Sequence, residues 1–135
     1  MLNPNVEIKK WFFDTISNLG YGVYDGIAPT DAGKTYIVLD GRTSSQEKGK
    51  SGYTNEITII VDIVTKSANF GYKDSETISN DILTAINSDT QITLAEGWNS
   101  SDVYVESIRN LDGLNPLDNV FRTLITYKII ITQTL

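Results

Sequence analysis

Two residue types are missing from the sequence, and each absence removes a class of chemistry. The 135 residues include no cysteine and no histidine. Without cysteine there is no disulfide framework, no thiolate nucleophile and no thiolate ligand for a structural zinc ion. Without histidine the commonest general base and the commonest metal ligand are both gone. We therefore expect no metal site, no cofactor and no enzymatic activity.

Basic residues and long apolar runs are also scarce. The chain has 11 basic and 17 acidic side chains and a formal net charge of -6, which opposes binding to the phosphates of nucleic acid. No stretch approaches the roughly 18 apolar residues of a membrane span. The first 20 residues lack the basic start and the apolar run of a signal peptide. We expect a soluble protein that is made in a cytoplasm and has no membrane partner.

The length and composition that remain are those of one globular domain. A chain of 135 residues has the common size of a single domain, and its hydrophobic share of 40% is ordinary. No linker, internal repeat or low-complexity block divides it. Residues 1–135 are therefore predicted to form one domain.

Apolar residues recur at helical spacing in two segments and at strand spacing in four. The helical segments run from a candidate N-cap at Asn5 to Gly20, and from Asp74 or Ser75 to about Asp89. The strand segments are Thr35 to Asp40, Tyr53 to Lys66, Asp102 to Asn110 and Val120 to Thr134, with Val23-Tyr24 at most a short edge strand. We predict an α+β fold with an antiparallel β-sheet and two helices packed on one face, in the order helix, strand pair, helix, strand pair.

Three consecutive aromatic residues in the first helix suggest a partner contact. Consecutive helical residues point about 100° apart, so one of Trp11, Phe12 and Phe13 has to face away from the core. Exposed aromatic side chains are frequent anchors of protein interfaces. Trp11 and Phe13 are the candidates.

The segment from Gly41 to Gly52 is polar, rich in glycine and without periodicity. We interpret it as a long hairpin connection, which either stays solvated or orders when a partner docks. Its candidate contact residues are Arg42, Gln46, Glu47, Lys48 and Lys50.

Two patterns that look chemical are weak. Gly33-Lys34-Thr35 imitates the end of a nucleotide-binding loop, but Ala28 stands where that motif has glycine, and a strand follows where a helix is required. Asp62 and Glu56 could serve a carboxylate-dependent enzyme, although nothing around them marks a cleft or an apolar pocket.

Several segments resemble the phage tail-completion or tail-terminator family, in the family's order. The resemblance begins with Val23-Tyr24-Asp25-Gly26, Ala28-Pro29 and the strand Tyr36-Ile37-Val38-Leu39. It continues with a strand from Glu56 to Thr65, a helix from Glu76 to Asn87 and a closing strand from Arg122 to Thr132. It spans nearly the whole chain.

This resemblance implies a structural virion protein of the tail or neck, assembled in the host cytoplasm. In that family, subunits form a ring, here expected to be hexameric, which caps the tail tube and joins the tail to the head. The implied partners are further copies of the chain, the tail tube protein and the head-completion or stopper protein. DNA would be only a passing cargo in the lumen.

Three alternatives stay open at this point. Another neck or tail adaptor, such as a head-completion or tube-end ring protein, would differ only in its partners. A small enzyme would depend on carboxylates. A nucleic-acid-binding domain would need a basic face, which the composition does not favour.

Overall fold

Two helices and five strands make up the described part of the chain, which a computed structural model gives as residues 4–48, 52–66, 73–92, 98–111 and 120–134. The elements are α1 (Pro4–Ser17), β1 (Val23–Asp25), β2 (Thr35–Lys48), β3 (Gly52–Lys66), α2 (Lys73–Ala85), β4 (Trp98–Leu111) and β5 (Val120–Thr134). The strands form one sheet in the order β1-β2-β3-β5-β4.

The sheet is mixed, so the prediction of a purely antiparallel sheet is wrong. β1 runs parallel to β2 and pairs with its residues 37–39, whereas the other three pairings are antiparallel. The segment 26–34 leads the chain back along β1 before β2 starts, and Gly26, with a φ of 76°, opens that turn. A strand of three residues has too little alternation to reveal its direction. The α+β class itself is correct.

Most of the segment from Gly41 to Gly52, which the sequence predicts to be a loop, belongs to strands β2 and β3. β2 stays paired with β3 as far as Lys48, which lies opposite Tyr53, with one irregularity between Thr43 and Ser45. β3 is also paired with β5 along residues 52–66. The prediction of an irregular connection is therefore wrong for residues 41–48, because pairing with a neighbouring strand outweighs a polar composition.

The core lies between one face of the sheet and both helices. Residues at every second position of β2, β3 and β5 are buried there: Ile37, Leu39, Ile57, Ile59, Val61, Ile63, Ile125, Tyr127, Ile129 and Ile131. The helices cover them with residues four positions apart, namely Ile8, Phe12 and Ile16 of α1 and Ile78, Ile82 and Ile86 at α2. The apolar residues that alternate along the strands and those that recur about every 3.6 residues along the helices therefore pack against each other on this one face of the sheet.

Both helices begin slightly earlier than predicted. α1 starts at Pro4, which places Asn5 inside the first turn and not at the N-cap. Proline is favoured in the first turn because the N–H that it lacks has no helical partner there. α2 starts at Lys73, next to the predicted caps Asp74 and Ser75. Differences of one or two residues are usual at helix ends.

Candidate protein-interaction surface

The three consecutive aromatic residues of α1 lie in three different environments. Phe12 is fully buried and contacts Tyr127 of β5 edge to face, with 5.3 Å between the ring centroids. Trp11 is half-buried and packs against Phe12 and the core. Phe13 is 39% exposed. Of the two candidates for a partner contact, Phe13 is therefore the more exposed, while Trp11 belongs partly to the core.

Phe13 lines a groove of about 440 Å³ beside the first helix, which we call the α1 groove. Its lining residues are Asn5, Val6, Lys9, Lys10, Phe13, Asp25 and Leu39. Val6 is 62% exposed. The groove therefore combines two exposed apolar side chains with two lysines and one aspartate.

The shape of the α1 groove depends on how α1 is fixed to the sheet. Lys9 Nζ donates a hydrogen bond of 2.8 Å to Asp25 Oδ1 at the end of β1. Gly41 of β2 makes room for this side chain, because a Cβ there would lie 2.7 Å from Lys9 Cε. A larger residue at position 41 would displace Lys9 and change the groove.

Both long edges of the sheet are open in the part of the chain that the structure describes. β1 pairs only with residues 37–39 of β2, so in the described part of the chain no strand lies beside residues 41–48 of β2. At the other side β4 pairs only with β5. Open edges present unpaired backbone N–H and C=O groups that can bind another strand.

β4 exposes apolar and charged side chains on both of its faces, and we call these side chains the β4 edge; the pairing with β5 places Tyr104 opposite Lys128 on the face away from the helices and Ile108 opposite Ile125 on the helix face. Tyr104 is 38% and Ile108 is 52% exposed. Asp102, Glu106 and Arg109 are exposed on the same strand. The sequence pattern did not identify this surface, because the irregularity between Val105 and Ser107 interrupts the alternation on which face assignments rest.

The sheet face opposite the helices carries ion pairs that join neighbouring strands. Arg122 donates two hydrogen bonds to Asp62, one of them 3.2 Å long from Nε to Oδ1, and these raise the pKa of Arg122. Lys128 Nζ lies 2.9 Å from Glu56 and 3.6 Å from Glu106. The hydrogen bond to Glu56 and the charge of Glu106 raise the pKa of Lys128. Cations and anions are mixed here, whereas a nucleic-acid-binding face carries clustered cations.

Asp62 and Glu56, the carboxylates considered for catalysis, do not form a pair. They lie six positions apart on one strand, which separates them by about 20 Å at the usual rise of a strand. Each carboxylate is instead next to a cation. Among the described residues no group of three or more acidic side chains is placed to hold a metal ion.

The candidate contact residues of the predicted loop fall mostly on a strand. Arg42, Gln46, Glu47 and Lys48 lie in β2, and Lys50 lies outside the described residues. Their contacts with partners stay a prediction. In the described part of the chain, neither helix has the length and apolar character that crossing a membrane requires.

Two helices on one face of a mixed five-stranded sheet define the fold class. No family model and no curated protein matches the chain, but 11 chains of solved structures do. One belongs to a structure described as "Virion of native gene transfer agent (GTA) particle". It matches with a TM-score of 0.77 over 94% of this chain and 96% of that chain, at 12% sequence identity. At this identity the match shows a shared fold.

Proposed function

We propose that this chain is a structural subunit of a phage-like virion. The observation that carries the proposal is the match over nearly the full length of both chains with a chain of a gene transfer agent virion. The exposed apolar residues of the α1 groove and the β4 edge agree with it, since assembly proteins act through such surfaces. The virion would be the place where the protein works.

Within the virion, we assign the chain to the neck, as a ring-forming subunit that caps the tail tube and joins tail to head. Support comes from the resemblance to tail-terminator proteins, whose motifs coincide with β1, the start of β2, β3, α2 and β5. The partners would be further copies of the chain, the tube protein and the head-completion or stopper protein. A net charge of -6 suits a ring through which DNA passes without adhering.

We further propose that the chain acts without catalysis. The chain has no histidine and no cysteine, and the two carboxylates considered from the sequence are about 20 Å apart. Each is held beside a cation on a sheet face. An assembly role needs no perturbed carboxylate, whereas acid–base catalysis near neutral pH does.

The test is to inactivate the gene and examine the resulting particles by electron microscopy. We expect filled heads without tails and tubes of abnormal length, and normal particles when the wild-type gene is supplied in trans. Tubes of normal length that fail to join heads would indicate a different neck adaptor. Complete, infectious particles that lack the protein would refute a virion role.

A further inference from the structure

Ile27, two residues past the end of β1, is 83% exposed, more than any other large apolar side chain that the structure describes. With Val38 and Val64 it lines a cavity of about 340 Å³, which we call the outer cavity. Leu39 and Ile63, the neighbours of these two valines along β2 and β3, are buried in the core. Since successive residues of a strand point to opposite faces, the outer cavity lies on the sheet face away from the helices.

The α1 groove and the outer cavity lie back to back at the same end of the sheet. Asp25 and Leu39 line the groove, and the residues next to them in sequence, Gly26 and Val38, line the cavity. The groove opens on the helix side of β1 and β2, whereas the cavity opens on the other side. Within one copy, Ile27 and the α1 groove are therefore on opposite sides of the sheet.

Each of these two surfaces combines a hollow with an exposed apolar side chain. Phe13 and Val6 line the α1 groove and are 39% and 62% exposed, and Ile27 lines the outer cavity. A cavity of about 150 Å³ already holds a benzene ring. The groove, of about 440 Å³, and the outer cavity therefore each have room for the exposed side chain of the other surface.

The two surfaces also carry unpaired charges of opposite sign. Lys10 of the α1 groove is exposed and, unlike Lys9, has no ion-pair partner among the described residues. Asp31, in the segment 26–34 that carries Ile27, is exposed and has no ion-pair partner in that part of the chain either. Lys34, the other charged residue of this segment, lies at its far end, next to β2. Opposite charges set the register of an interface and speed its formation.

We propose that Ile27 of one copy of the chain docks in the α1 groove of the next copy, whose Phe13 enters the outer cavity of the first. Asp31 of the first copy then faces Lys10 of the second. Because the two surfaces lie on opposite faces of the same end of the sheet, the copies stack front to back. The contact is heterologous and propagates from copy to copy until the rotation closes a ring. The proposal rests on the proposed function for the ring, and it adds the surfaces that build it.

The test uses the absence of cysteine from the chain, because introduced cysteines are then the only thiols. The double variant Phe13→Cys/Ile27→Cys has one thiol on each surface. Leu19→Cys/Ile27→Cys is the matched control, since Leu19 is 39% exposed like Phe13 and does not line the groove. Circular dichroism establishes that both variants fold. A short bismaleimide then links neighbouring thiols, at the highest soluble concentration and in purified particles, and denaturing electrophoresis counts the linked chains.

We expect Phe13→Cys/Ile27→Cys to give a ladder of linked chains that passes the dimer and ends at one fixed number, the number of subunits in the ring. A link within one copy does not compete, because its two thiols lie on opposite sides of the sheet. The control should remain largely unlinked. A two-fold contact between the same surfaces would instead stop at the dimer.

Exchanging the two unpaired charges tests the register. Lys10→Asp and Asp31→Lys should each weaken association several-fold in sedimentation velocity, because each brings two like charges together. The variant that carries both substitutions should recover most of the lost affinity, since the pair is restored with its signs exchanged.

Three results would overturn this docking mode. They are a double-cysteine variant that is linked no more than the control, a ladder that ends at the dimer, and a charge-exchanged variant that associates no better than the single substitutions. The proposed function is judged separately, by whether the protein is present in purified particles. Particles that contain the protein but show no link between positions 13 and 27 would leave the function intact and refute the docking mode.

Discussion

Tyr127 of β5 donates a hydrogen bond of 2.8 Å from its hydroxyl group to the carbonyl oxygen of Ile86, one residue past the end of α2. The same ring packs against Phe12 of α1. A single side chain of the central sheet therefore contacts both helical segments. The last carbonyl groups of a helix have no helical partner, so a buried one needs such a donor.

Replacing Tyr127 with phenylalanine keeps the contact with Phe12 and leaves the Ile86 carbonyl without this donor. We expect the free energy of unfolding to fall by about 1–3 kcal/mol, the usual range for a buried polar group that loses its partner. Urea denaturation measures the change. Tyr104→Phe, at a position that is 38% exposed, is the control and should have little effect. Equal effects of the two substitutions would contradict the role of the hydrogen bond.

The stability of the protein should decline at alkaline pH. Burial raises the pKa of Tyr127 above its ordinary value, and the hydrogen bond to Asp81 raises the pKa of Tyr21 to about 12. The folded chain thus holds these protons more tightly than the unfolded chain. The resulting stabilisation is complete below about pH 10 and is lost as the pH rises further.

Thermal unfolding between about pH 9 and about pH 11 tests this prediction. Tyr127 alone accounts for a slope of about 1.4 kcal/mol per pH unit above the pKa of an unfolded tyrosine. Tyr127→Phe should therefore be less sensitive to alkali than the wild-type chain. An unchanged slope would mean that this hydroxyl ionises in the folded protein as easily as in the unfolded one.

A polar network fixes the beginning of α2 to the sheet. Thr123 Oγ1 is 2.9 Å from both Ser75 Oγ and Asn110 Oδ1, and Asn110 Nδ2 donates a hydrogen bond of 2.9 Å to Glu76. Thr123→Val keeps the shape and removes the hydroxyl, so we expect a loss of about 1–2 kcal/mol of stability. Thr126→Val, on the opposite face, serves as the control for chemical denaturation. A loss no larger than that of the control would show that the network does not stabilise the fold.

Asp62 should contribute more to stability than Glu106. The Asp62 and Arg122 side chains are 17% and 28% exposed, whereas the Glu106 side chain is 47% exposed. When Glu106 is replaced, Lys128 still has Glu56 as an ion-pair partner. We expect Asp62→Asn to cost about 1 kcal/mol and Glu106→Gln clearly less, since solvent screens exposed pairs. Denaturation at low and high salt checks the order. Neither substitution should prevent particle assembly if the chain acts without catalysis.

Hydrogen exchange can distinguish a strand from a loop in residues 42–48. In an edge strand only about every second amide bonds to its neighbour, so about half of these amides should be protected in the isolated subunit. An irregular loop would leave nearly all of them unprotected.

The sequence alone determined which segments are helices, that Tyr53 to Lys66 and Val120 to Thr134 are long strands, and which faces of the two helices and of these two strands are buried. Ile57, Ile59, Val61 and Ile63 alternate with polar residues, and Ile8, Phe12 and Ile16 recur every four residues. Such local periods follow from backbone geometry and require no knowledge of the neighbours. The geometry of α1 likewise required one of three consecutive aromatic residues to face away from the core, though not which one.

Tertiary structure decided the features that depend on pairing between distant segments. β1 runs parallel to β2 because residues 26–34 lead the chain back along β1 before β2 starts. Residues 42–48 form a strand because they pair with β3. The choice of Phe13 over Trp11 depends on how α1 is rotated against the sheet, and the separation of β1 and β4 to opposite ends of the sheet depends on the order of the strands. Backbone hydrogen bonds between strands carry no residue identity, so the sequence could not specify these arrangements by local pattern.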